Sequence, residues 1–131
     1  MLDFPLQSIH RFAFKAAEAA QCSGEQGKFW EMHDHLFANQ QQLDRPDLSK
    51  HAQTLGLDVA AFDKCLDSEK SAPRIRKDVA EALKAQATGT PTFVVGLTDT
   101  GRSELKGTKM FGAQPYEAFK AAIEGLLTSQ K

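Results

Sequence analysis

Cys22 and Cys65 are the only two thiols in the chain, and their spacing limits what they can do. Exchange with another molecule's disulfide needs a thiolate to attack and a neighbouring thiol to resolve the mixed disulfide. A Cys-x-x-Cys pair at a helix N-terminus supplies both, because the helix end favours the attacking thiolate. No Cys-x-x-Cys occurs anywhere in these 131 residues. The two cysteines stand 43 positions apart on different predicted helices. Three readings stand: a redox switch, a structural disulfide, or two buried thiols acting as small hydrophobes. Spacing alone does not choose, since a bridge needs Cα atoms within about 7 Å. A bridge over such a span would contribute up to about 4 kcal/mol in the loop-entropy picture.

The run Gly89-Thr90-Pro91-Thr92-Phe93-Val94-Val95 is the second candidate. Gly89 can stop a preceding helix in a left-handed conformation, and Thr92 to Val95 have strand character. Thr90–Pro91 then lies in the turn between them. Only about 5–6% of X-Pro bonds in folded proteins are cis, so the local sequence by itself favours trans.

The remaining candidates are weaker. Glu31 and His35 share a helix face, whereas His33 points toward the apolar side, and the His-Glu-x-x-His zinc pattern is absent. The expectation is no metal and no cofactor, with His33 semi-buried and Phe29 and Trp30 in the core. Gly24-Glu25-Gln26-Gly27-Lys28 lacks the spacing of a phosphate loop and has no strand before it. Lys70, Arg74, Arg76 and Lys77 are interleaved with Asp67, Glu69 and Asp78, the pattern of a solvated mixed-charge face. Nothing in the sequence makes Ser8 and His10 converge on an acid as a hydrolytic triad.

These residues need elements to carry them. Ile9, Phe12, Ala13, Ala16, Ala17 and Ala20 recur at helical spacing and predict a helix over about 7–22. A second predicted helix sets Phe29, Trp30, His33, Leu36 and Phe37 on one broad face. Pro46 or Asp47 opens a short third helix with Leu48, Ala52 and Leu55, closed by Gly56. Asp58 caps a fourth, with Val59, Phe62, Cys65 and Leu66 inward. Ser71 and Pro73 start a longer one bearing Ile75, Val79, Ala82, Leu83 and Gln86. A strand over 92–96 follows, then a turn, a second strand over 103–107, and a final helix opened by Pro115.

Taken together, the chain resembles the DsbA-like thiol–disulfide oxidoreductases of the thioredoxin fold. The resemblance is carried by Asp3-Phe4-Pro5-Leu6, Ala16 to Cys22, Glu25 to Asp34, Leu55-Gly56-Leu57-Asp58, Phe62 with Cys65-Leu66, the Thr90–Pro91 run, and Gly112-Ala113-Gln114-Pro115, in the family's order. It implies an α/β thioredoxin-like fold with a helical insertion. The chain is expected to be mostly helical, with a sheet incomplete because the family's first strand and Cys-x-x-Cys helix are absent. One partial domain over 1–131 is expected, mainly helical over 7–88, with the proline loop, hairpin and last helix over 89–131. The resemblance makes Thr90–Pro91 the family's cis-proline loop, whose Thr90 backbone would bind an extended peptide as an added strand. It also favours a bridge between Cys22 and Cys65, since a secreted family oxidises its thiols.

Composition narrows the partners. Hydrophobic residues make up 41% and charged residues 25%, with a net charge of -1. That leaves no basic footprint for nucleic acid, and no apolar run reaches membrane-spanning length. The resemblance implies protein substrates and an extracytoplasmic compartment, which the chain does not itself fix; cytoplasmic residence stays open. The reading is a relative of disulfide oxidases and isomerases that is itself redox-inactive. The alternative is a non-catalytic peptide- or protein-binding module, self-associating as a homodimer through an open sheet edge.

Overall fold

The structure is a computed structural model that describes residues 1–97, 101 and 107–129. It divides into two units, residues 1–82 and 83–131.

The first unit is helical. The helices are α1 (Ala13–Gly24), α2 (Phe29–Ala38), α3 (Arg45–Thr54), α4 (Val59–Asp67) and α5 (Ala72–Lys84), the last turn of α5 passing into the second unit. α1 is alanine-rich, hence strongly helix-forming, and is buried continuously from Glu18 to Ser23. Small side chains at Ala19 and Ala20 let neighbouring helices approach on all sides. The side chain of Asp44 caps α3 by accepting from the Asp47 N–H, and Asp58 caps α4 by accepting from Ala61. Ala19, Ala20, Cys22, Met32, Leu36, Leu48, Ala52, Leu57, Phe62, Cys65 and Leu66 form one buried cluster.

The second unit holds β1 (Thr92–Gly96), β2 (Gly107–Phe111) and α6 (Tyr116–Thr128). The strands are antiparallel, pairing Thr92 with Phe111 and Gly96 with Gly107. A Cβ at Gly107 would lie 2.3 Å from the Val95 carbonyl oxygen, so only glycine lets the strands meet there. α6 packs on β1 through Phe119, whose ring meets Phe93 edge-on at 4.9 Å. The architecture is mostly helical with a small antiparallel sheet, as the resemblance implied.

Several expectations are corrected. Residues before Ala13 form successive turns rather than a helix from about 7, with Ile9 and His10 both bonded back to Leu6 O. Ile9 is consequently 69% exposed. The buried stripe of α2 is Met32 and Leu36, whereas Trp30 is 58% and Phe37 64% exposed. α3 begins at Arg45, because Asp44 supplies the cap. The left-handed residue after α5 is Gln86, at φ 60°, and not Gly89; Leu83 and Gln86 are exposed. The second strand runs over Gly107–Phe111; the expected 103–106 portion lies outside the described residues.

Candidate functional site

The loop between α5 and β1 is built by hydrogen bonds within the second unit. Past Lys84 the chain reverses at Gln86 and buries Ala87. The Thr90–Pro91 peptide is cis. The Thr92 hydroxyl donates to Gly89 O at 2.7 Å, tying the loop to the first residue of β1. Pro91 O accepts from the Gly112 N–H at 2.8 Å, which fixes the loop to the turn after β2. Gly112 has φ +76°, a conformation that costs glycine nothing. Lys109 donates from β2 to Ala85 O at 3.2 Å and also to the Gln86 side chain.

Within this frame Thr90 and Pro91 are both exposed. Among the described residues, nothing pairs with the Thr90 backbone N–H or C=O. The loop therefore presents a main-chain donor and acceptor at the head of a strand. Such groups can take up an extended peptide by strand addition.

The cysteines are elsewhere, in the first unit. Cys22 on α1 and Cys65 on α4 are joined, with Sγ–Sγ 2.08 Å and Cα–Cα 5.9 Å. They are 1% and 8% exposed and belong to the core cluster. No thiol in the chain is left free.

The weaker candidates separate. His33 is half-buried, its Nδ1 2.9 Å from Asp34 Oδ1, with its ring against Phe29, Trp30 and Phe37. Glu31 is exposed and makes no contact with His35. Among the described residues, no group of three or more His, Cys, Asp or Glu is placed to hold a metal ion. Gln26, in the glycine-flanked turn between α1 and α2, is a clasp: its amide oxygen accepts from Asp58 N–H and its NH₂ donates to Asp58 O. Lys70 pairs with Glu25 at 2.8 Å, and Arg76 lies over the Phe14 ring at 5.8 Å. Ser8 and His10 are exposed in the turns before α1. A cavity of about 610 Å³ in the first unit is lined by Gln21, Glu25, Phe29, Trp30, Lys70 and Arg74, among others.

Three arrangements had no local signal in the sequence. Arg45 donates two bonds to Asp67, at 2.7 and 3.0 Å, and lies 3.0 Å from Asp63. Asp3 accepts from the Gln21 amide at 2.7 Å, and its own N–H donates to Asp78 at 3.1 Å. Burial pushes the Asp3 carboxyl above its ordinary range; the Gln21 bond counters this, and the neighbouring Asp78 adds to it. His35 and His51 share a hydrogen bond across α2 and α3. Each joins positions 16 to 75 residues apart, beyond any periodicity.

Residues 1–124 match the family model described as the DSBA-like thioredoxin domain. The chain is 39% identical over 127 residues to the Na(+)/H(+) antiporter NhaA 3 of Salinispora tropica, covering 97% of this chain and 18% of that protein. It is 40% identical over 119 residues to the Na(+)/H(+) antiporter NhaA 1 of Salinispora arenicola, covering 91% and 17%. The chain thus spans less than a fifth of the length of these curated relatives. Among the described residues, no helix is long and apolar enough to cross a membrane.

Proposed function

This chain belongs to the DsbA-like thioredoxin domain family, a thiol–disulfide oxidoreductase type of fold, and from that premise we propose that it holds extended protein segments without exchanging disulfides with them. Disulfide oxidation or isomerisation on protein substrates is then the activity of family members that carry a Cys-x-x-Cys pair. One observation carries the proposal: both sulfurs are bonded to each other inside the helical core, so no thiolate can attack a client. The exposed Thr90–Pro91 loop, with the main chain of Thr90 unpaired among the described residues, supports the peptide-holding half. Among the described residues β1 pairs with β2 alone, which leaves an edge for the same purpose or for a second copy of this chain.

Two measurements test the halves separately. Insulin reduction and dithiol oxidation stay at background; turnover abolished by mutating either cysteine would refute the inactive reading. An unfolded client peptide shifts the amide resonances of residues 89–96 on titration. Shifts confined to other residues would remove the loop from the reading.

A second reading draws on the relatives. A stretch matching nearly all of this chain forms a small part of proteins named Na(+)/H(+) antiporters, so the segment held would be one of a membrane transporter. Co-purification with such an antiporter, and its absence with unrelated membrane proteins, is the expected result.

A further inference from the structure

His35 on α2 and His51 on α3 form a pair whose hydrogens are assigned by a third group. His35 Nε2 and His51 Nδ1 are 3.0 Å apart, with the rings inclined at 76°. The other nitrogen of His51, Nε2, is 2.7 Å from Gln42 O. A carbonyl oxygen only accepts, so His51 Nε2 carries a hydrogen. In the neutral ring Nδ1 then holds the lone pair, and it must accept from His35 Nε2–H. Donation runs from α2 to α3 and ends on the connecting loop. His51 is 5% exposed and His35 is half-buried.

This chain of bonds has room for one more proton. If His51 Nδ1 gains it, His35 can move its own hydrogen to Nδ1 and accept through Nε2. A second proton leaves N–H groups on both facing nitrogens, each ring positive, at 3.0 Å. No tautomer relieves that arrangement, and the contact must open.

The surrounding charges do not neutralise the pair by contact. Asp47, one turn before His51 on α3, feels its field but is engaged by Lys50 at 2.8 Å. Asp44 caps the same helix on Asp47 N–H. On α2, Glu31 stands one turn before His35, and Asp34 is held by His33. From the helices packed on α3, Glu18 of α1 faces Lys15 at 2.8 Å and Asp63 of α4 faces Arg45 at 3.0 Å. Among the described residues, no carboxylate bonds to either ring of the pair.

We propose that the His35–His51 pair is an acid-sensitive latch between α2 and α3, closed with no added proton or one and opened by two. Two added protons break the contact, so the latch withdraws its stability on acidification.

The test compares unfolding of the wild type, His35→Gln, His51→Gln and the double variant between about pH 8 and about pH 5, where imidazoles titrate. The wild type is expected to lose stability most steeply with acid. His35→Gln alone should remove as much of the extra slope as the double variant, because the cost belongs to the pair. An equal slope in wild type and double variant would overturn the latch. Should His51→Gln not fold, long-range nitrogen–hydrogen spectra of the wild type decide the matter. At neutral pH each ring of the pair is expected to carry its hydrogen on Nε2, and a hydrogen on His51 Nδ1 instead would overturn the proposal.

Discussion

Cys22 and Cys65 join the middle of the helical core, from α1 to α4, with their Cα atoms 5.9 Å apart. Everything between them, including all of α2 and α3, lies inside one covalent loop of sequence separation 43. The bond acts on the unfolded chain, whose freedom it restricts, as much as on the native one. Replacing both cysteines by alanine is expected to cost up to about 4 kcal/mol, since the lost loop constraint dominates over two small side-chain truncations. Chemical denaturation of the double variant against the oxidised wild type measures it. A cost below about 1 kcal/mol would mean that the unfolded chain keeps the two helices together without the bond.

The same backbone logic, at shorter range, applies to the hairpin. Gly107 stands where a Cβ would meet Val95 O at 2.3 Å and Val95 C at 2.7 Å, and neither backbone atom can yield as a flexible side chain would. Gly107→Ala is expected to destabilise the β1–β2 pairing by about 1–3 kcal/mol, the usual cost of an overpacked contact. Cross-strand NOEs between Val94 and Lys109 should weaken in the variant. Unchanged NOEs and an unchanged melting temperature would show that the strands can separate there at no cost.

Local rules were legible in the sequence, and long-range ones were not. Asp58 as a cap, Gly56 as a stop and 92–96 as a strand depend on a residue and its immediate neighbours, and the structure has each of them. The left-handed position fell to Gln86 because the helix ended at Lys84, before Gly89 was reached. α2 carries apolar side chains on more than one side, so periodicity could not tell which stripe would be covered. Tertiary contact chose Met32 and Leu36. Of the candidate site, Thr90, Pro91 and both cysteines stand out in the sequence, but residue type alone favours neither the cis peptide nor the bridge; only the family resemblance does. The His35–His51 and Asp3–Gln21 contacts need the fold before they exist.

The contrast between core and surface aromatics gives a pair of opposed substitutions. Phe62 is fully buried in the core cluster, whereas Trp30 is 58% exposed. Phe62→Ala is expected to cost about 3–5 kcal/mol, the range for a buried aromatic that leaves a cavity. Trp30→Ala removes mainly edge contacts with Phe29 and His33 and should cost less than about 1 kcal/mol. Fluorescence offers an independent check, because Trp30 is the single tryptophan. Its emission should already be water-like in the native state, and a blue-shifted native spectrum would place it in the core after all.

Asp3 supplies a pH dependence of opposite sign to that of the histidine latch. Burial and the nearby Asp78 raise its carboxyl above the ordinary range in the folded protein, despite the Gln21 bond. The native state therefore holds that proton more tightly than the unfolded chain. The associated stability is present below the unfolded carboxylate range and is lost as pH rises through the folded value. Asp3→Asn keeps an oxygen to accept from Gln21 and a backbone N–H to donate to Asp78, yet removes the charge. The variant should melt higher than the wild type at neutral pH, with the gap narrowing as acidification protonates the wild-type carboxyl as well. Since the group is only part-buried, water screens much of the effect and the shift is expected to be small. A variant that melts lower at neutral pH would show that the Asp3 charge stabilises the fold, through Arg74 nearby, more than burial opposes it.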